Sequence, residues 1–231
     1  MQAGLLPGPP ILTATSDGAG AGGWRLTGIS PWCTGWGMVD ELLVAARLRE
    51  DIATVAWFMV SATAQPGLRS QRLNLHAVGA TETVALTFDG VTIDGSRFLG
   101  TDPFSTVGHA AGNGLRPNGS LALGLGQRCA NGLAALGRAQ AVAAADELTQ
   151  RISQIREQLD TTTPDDMAAA RASANQLAIQ AATAFVAGSG AASAVAGSAA
   201  ERAMREATFL LVFGSRPQIR TALLTPQTAR R

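Results

Sequence analysis

The 231-residue chain has no lysine and no tyrosine, and only two cysteines and two histidines. Each scarcity removes a class of chemistry. Cys33 and Cys129 lie far apart and in no metal-ligand spacing, so neither a disulfide framework nor a zinc site is expected, and both thiols should be reduced and packed. His76 and His109 have no Asp, Glu or Cys cluster at ligand spacing, so no metal is expected. All 18 basic residues are arginine, against 17 acidic residues, and this balance leaves no electrostatic footprint for nucleic acid. Met1-Gln2-Ala3-Gly4 lacks a basic region of the kind that opens a secretory signal, which makes a cytoplasmic protein the expectation. Ala181 to Ala200 is uncharged and long enough to cross a bilayer, but its Ala, Gly and Ser give little driving force in lipid. A packed helix end followed by a turn is expected there, and no membrane partner.

What is present divides in two. The first half is punctuated like a β-protein: Trp24–Thr27 reads as a strand before Gly28, and Glu41–Ala46 and Thr54–Val60 are apolar runs of strand length. From Thr83 to Phe88 the chain alternates, with Val84, Leu86 and Phe88 on one side. Asp89-Gly90 then carries hairpin-turn chemistry, with Val91–Ile93 returning, and Asp94-Gly95 supplies a second turn. No connection holds a crossover helix, which predicts an antiparallel sheet of sequence neighbours.

Between Gly100 and Ser120 the composition shifts, and Leu121, Leu125, Cys129, Leu133, Leu148, Ile152, Ile155 and Leu159 recur at helical spacing. Thr163, Pro164, Asp165 and Asp166 have the order of a helix start. Met167, Ala170, Ala174, Leu177, Ala181 and Phe185 share the face that follows, and Gly188-Ser189-Gly190 ends it. A further helix is predicted from about Ala199 to Val212, stopped by Gly214 and Pro217. The fold class expected is α+β: an antiparallel barrel- or sandwich-like domain over 1–115, then an antiparallel helical bundle over 116–231. Small residues let those helices approach closely but give each little apolar area to bury.

Several motifs have bland readings. Gly18 to Gly23 satisfies GxGxxG, but a strand follows it where dinucleotide binding needs a helix N-terminus, so a hairpin connection is expected. Ser120 and Ser215 are not set in GxSxG, which gives a hydrolase nothing to stand on. Trp32-Cys33-Thr34-Gly35-Trp36-Gly37 is more informative. Two indoles and a hydroxyl in a Gly-rich bend can form a stacking surface, or both indoles can be core.

Order and spacing weigh on that choice. Gly23–Gly28, then Trp32-Cys33-Thr34, then Asp40 and Leu43–Arg47 resembles the middle β-domain of the acyl-CoA dehydrogenase family. Glu201-Arg202-Ala203-Met204-Arg205-Glu206-Ala207 is similar to that family's ER-x-x-RD-A helix start, with Glu206 for Asp. Phe213 to Arg220 aligns on its closing segment, including Gln218-Ile219. The resemblance implies bound FAD, with Trp32 packing against the flavin and Thr34 hydrogen-bonding it. It implies an acyl-CoA thioester substrate, with a glutamate taking the α-proton as hydride leaves the β-carbon for flavin N5.

The chain departs from the family in four respects. The catalytic glutamate aligns with Gly214, and neither 103–145 nor 207–231 contains Asp or Glu, so no catalytic residue is assigned. The family's N-terminal helical domain has no counterpart in the chain. Its Thr-Glu-Pro…Gly-Ser-Asp segment is not recognisable before Gly22, and its Arg-x-x-Phe-Gly element is absent. The bundle is also one long helix short. Loss of a general base costs about 10²–10⁴ in rate. Two functions are therefore expected to compete: a flavin-linked acyl-thioester oxidoreductase completed by a homo- or hetero-oligomeric partner, and a non-catalytic structural or regulatory subunit of such a complex. A free-standing module binding a CoA thioester or another apolar ligand is a third.

Overall fold

The computed structural model describes residues 5, 8–18, 22–110, 114–214 and 217–225. The chain divides into two units, Met1–Gly112 and Asn113–Arg231.

Alternating burial builds the first unit. Its strands are β1 (Leu12–Ser16), β2 (Trp24–Cys33), β3 (Glu41–Leu48), β4 (Thr54–Ser61), β5 (Leu68–Arg72), β6 (Val84–Ile93) and β7 (Phe98–Pro103), followed by a short helix α1 (Phe104–Ala110). They form one sheet in the order β5-β6-β2-β1-β3-β4-β7. This corrects the expected antiparallel barrel or sandwich: the sheet is mixed and open, with β5 and β7 at its edges. The parallel pair is β1 with β3, through Thr13↔Arg47 and Ala14↔Leu48. No crossover helix is needed, because β2 is the crossover. It returns antiparallel beside β1, and the chain then passes to the other side of β1 to start β3, which so runs parallel to β1.

The expected hairpin at Asp89-Gly90 is also corrected. β6 runs straight through both residues, and its pairing with β2 shifts register between Leu26↔Val91 and Gly28↔Phe88. Two residues of β6 therefore oppose one of β2, a bulge that Gly90 accommodates at φ +67°. Hairpin and bulge ask for the same residues, and β6 is committed to two partners, β2 and β5, so the strand continues. β2 likewise does not stop at Gly28. Leu12, Leu26, Val44, Phe58, Val60, Leu86, Phe88 and Val91 fill the core, with Trp24 stacked on Phe98 at 4.9 Å between centroids and edge-on to Phe58 at 5.4 Å. Buried Arg47 lays its guanidinium over the Phe104 ring, 3.4 Å from the centroid.

The second unit contains α2 (Leu115–Ala134), α3 (Ala139–Thr161), α4 (Met167–Ser189), α5 (Ala199–Val212) and α6 (Pro217–Leu224). The periodic run from Leu121 to Leu159 is two helices, parted at Gly137. α4 is central, packing against each of the other four. Its start falls three residues later than expected, at Met167, because Thr163 forms a turn with Asp166, donating to its carboxylate at 3.0 Å and accepting its N–H at 3.4 Å. Ala170, Ala174, Leu177, Ala181 and Phe185 are buried as the spacing predicts. Close approach is taken literally here: a Cβ on Gly132 would lie 2.5 Å from Phe185 Cζ, and one on Gly188 2.6 Å from Leu133 Cδ2. Among the described residues one helical stretch, Met167–Ala194, is long and apolar enough to cross a membrane; it includes the central helix of this bundle and carries buried Arg171 and Asn175.

Candidate functional site

The two places that the sequence singles out, the Trp32–Gly37 bend and the closing segment at Phe213-Gly214, lie in different units.

A register shift prepares the bend: between Ser30↔Leu86 and Cys33↔Val84 two residues of β2 oppose one of β6. Cys33, at the end of β2, is 3% exposed and packs in the sheet core, whereas Trp32 is 57% exposed. Thr34 is exposed two residues on, at the start of the turn that follows β2. Trp36 instead packs against the core, so the two indoles divide the possibilities between them. Burial pushes the Cys33 thiol above its ordinary range, which keeps it protonated and unreactive near neutrality.

The bend is fastened to the segment that enters β6. Gly35 N–H donates to the Thr81 carbonyl at 2.8 Å and Trp36 N–H to the Glu82 carbonyl at 3.1 Å. That segment is a single 3₁₀ turn, Gly79–Thr81, flanked by Val78 at φ +53° and Glu82 at φ +44°. Left-handed backbone at a β-branched valine costs on the order of 1–3 kcal/mol and persists only where its surroundings enforce it. Here Glu82 is held by Arg72 at 2.9 Å, and the Thr81 hydroxyl donates to the Val78 carbonyl at 2.7 Å. Behind the bend the hydroxyls form a chain: Thr34 to Thr83 at 3.1 Å, and Thr83 to Thr81 at 2.8 Å. The resemblance singles out Trp32 and Thr34; Thr81 and Thr83, which the structure links to Thr34, were not singled out from the sequence. The signal was the Thr-x-Thr spacing just before a strand, but nothing local ties it to Thr34.

The closing segment is differently furnished. Gly214 sits at φ +59°, and a Cβ there would lie 2.7 Å from Asn118 Nδ2 of α2. The Phe213 carbonyl accepts from Arg171 Nη2 at 3.5 Å. Arg171 is buried with Asn175, to which it also donates; its Nε has no partner, and burial lowers its pKa to about 10. Ser215 lies outside the described residues. The carboxylates of the Glu201–Ala207 motif serve the surface: Glu206 pairs with Arg128 at 2.6 Å. Glu201 pairs with Arg205 and accepts the Gly197 N–H at 3.1 Å, and its hydrogen bond from Arg205 holds its pKa below the ordinary value. Ser120, on α2, accepts from Arg116 at 2.7 Å. Among the described residues no group of three His, Cys, Asp or Glu is placed to hold a metal.

No family model and no curated protein matches the sequence. Solved structures do match. Butyryl-CoA dehydrogenase from Megasphaera elsdenii aligns with 94% of this chain and 62% of its own, at 16% identity and a TM-score of 0.74. A glutaryl-CoA dehydrogenase from Mycobacterium smegmatis, in complex with FADH2, aligns with 92% of this chain and 60% of its own, at 17% identity and a TM-score of 0.68. In the ChsE4-ChsE5 complex from Mycobacterium tuberculosis the figures are 96% and 65%, at 19% identity and 0.69. The chain thus spans about three-fifths of the length of the dehydrogenases it matches. Over nearly all of its own length it has the fold of acyl-CoA dehydrogenases.

Proposed function

We propose that this chain is a cytoplasmic, flavin-linked subunit of an acyl-CoA dehydrogenase-type oxidoreductase, which holds FAD on the Trp32–Thr34 bend and takes its catalytic base from another subunit. One observation carries the reading: an indole that alternation could have buried is instead 57% exposed, two residues from an exposed threonine, on a bend hydrogen-bonded to a segment of strained backbone. That donor set suits an isoalloxazine, which offers a flat face to stack and ring-edge nitrogens and oxygens to hydrogen-bond. Trp32 would cover the ring and exclude water from it, and Thr34 would fix its orientation. When bound, FAD supplies the hydride acceptor that oxidation of an acyl-CoA thioester needs.

The proton has to go elsewhere. Abstraction from the α-carbon requires a carboxylate in contact, and neither 103–145 nor 207–231 contains one. A homo- or hetero-oligomeric partner supplying that group is part of the proposal. A second reading, a non-catalytic structural or regulatory subunit, is favoured by Gly214, which puts no carboxylate where the family's base aligns.

Co-expression of the full chain with the products of neighbouring genes separates the two. Flavin absorbance that copurifies and bleaches with an acyl-CoA supports the oxidoreductase subunit. A complex that copurifies without flavin supports the non-catalytic one.

A further inference from the structure

Helices α4, α5 and α6 leave an apolar groove open on the helical unit, and we propose that it seats an acidic amphipathic helix of a partner subunit. The proposal rests on the reading above only in that a second subunit joins the chain; it uses none of the flavin chemistry. Ile179 of α4, Leu211 and Val212 at the end of α5, and Leu223 and Leu224 of α6 line a groove of about 650 Å³. Its walls stand in water: Val212 is 64% exposed and Leu224 83%. Contiguous apolar surface of this kind marks an interaction site. Across Gln176 and Gln180 the groove adjoins a smaller polar one between α3 and α4, lined by Arg151, Gln154 and Gln158. An apolar centre with a polar, arginine-bearing margin is the anatomy of a protein interface.

Charge chooses the occupant. Neither 167–200 nor 207–231 contains Asp or Glu, so every residue of the apolar groove belongs to a stretch without a carboxylate. Arg220 lies exposed in it, and among the described residues it has no ion-pair partner. A carboxylate to pair it has to come from outside the groove. A second copy docked isologously would set this cationic surface against itself, like charge on like charge. Residues 226–231, which follow Thr225 at the groove, bring only small, polar and basic side chains. A small amphiphile would stay wet against walls this exposed, whereas ligand pockets bury about 70–90% of their ligand. A helix fits. Gln176–Gln180 on α4 and Arg220–Leu224 on α6 each run one turn, about 6 Å. That length takes two apolar anchors at i and i+4, with Asp or Glu beside them for Arg220.

The test co-expresses the full chain with the products of neighbouring genes, as wild type, Arg220→Glu and Leu224→Glu, and follows assembly by light scattering and hydrogen exchange. Both substituted side chains are exposed, and circular dichroism checks that both variants keep the fold. In the wild-type complex, amide protection should appear on Gln176–Gln180 and Arg220–Leu224, and on a partner helix that carries Asp or Glu beside apolar residues. Either variant should weaken the complex by about 10- to 100-fold, and added salt should weaken the wild-type complex more than that of Arg220→Glu. A complex of wild-type affinity in both variants overturns this surface and leaves the partner reading standing. Self-association of the chain through the groove, or protection of a partner segment without carboxylates, overturns the acidic helix. No complex with any neighbouring product overturns both the surface and the partner reading, while flavin absorbance of whatever copurifies judges the flavin reading separately.

Discussion

The sheet unit packs large side chains and leaves its bend exposed, whereas the helical unit packs small ones and fills its closing segment. In the first, Trp24, Phe58 and Phe98 interlock, and the bend retains an exposed indole, a hydroxyl and the backbone strain that fixes them. In the second, glycines and alanines bring helix axes together, and Asn118 crowds Gly214 where the resemblance would place a base. A fold can be kept in both units whether or not the chemistry is kept in either, because sites are set by a few side chains and folds by many.

The contrast in packing predicts opposite sensitivities. Phe58→Ala should cost about 3–5 kcal/mol, the range for deleting a buried aromatic ring, read as a lowered denaturation midpoint in a sheet-specific probe. Next comes an alkaline limb in the helical unit. Burial pushes the Cys129 thiol from an ordinary 9.0 up to about 11. Above pH 9 the unfolded thiol loses a proton that the folded one keeps, so stability is full below about 9 and falls as pH rises towards 11, by roughly 2–3 kcal/mol. Cys129→Ala should flatten that difference in denaturant titrations run across the range. Gly132→Ala should then destabilise by about 1–2 kcal/mol through overpacking against Phe185, although alanine is the better helix former by about 1 kcal/mol; a gain in stability would break the close-packing account. Smallest is Trp32→Ala, expected within about 0.5 kcal/mol of wild type, since the indole is mostly in solvent.

Local chemistry was readable where it had one meaning. α5 was bounded correctly at Ala199–Val212, because Ser198 caps it, accepting the Glu201 N–H at 3.3 Å, and Gly214 stops it. Val84, Leu86 and Phe88 alternate as written. Where one sequence serves two structures, partners far along the chain decided. Asp89-Gly90 suits a hairpin or a bulge, and pairing to β2 and β5 selects the bulge. β1, β5 and β7 were not anticipated; β5 shows one buried residue, Leu68, then four exposed, so it offers no alternation to detect. At the bend, Trp32 and Thr34 were singled out by the family resemblance, but Thr83 is 49 residues from Thr34 and only the fold brings them together. Asn118 beside Gly214 was hidden in the same way.

The central claim is that the sheet unit retains a flavin site on its exposed bend. The most direct measurement is a titration of the full chain with FAD, wild type against Trp32→Ala, followed by flavin absorbance and fluorescence. Loss of aromatic stacking should weaken binding by about 5- to 150-fold, the equivalent of 1–3 kcal/mol, with the fold unchanged by circular dichroism. Equal affinity of the two proteins for FAD would contradict the account.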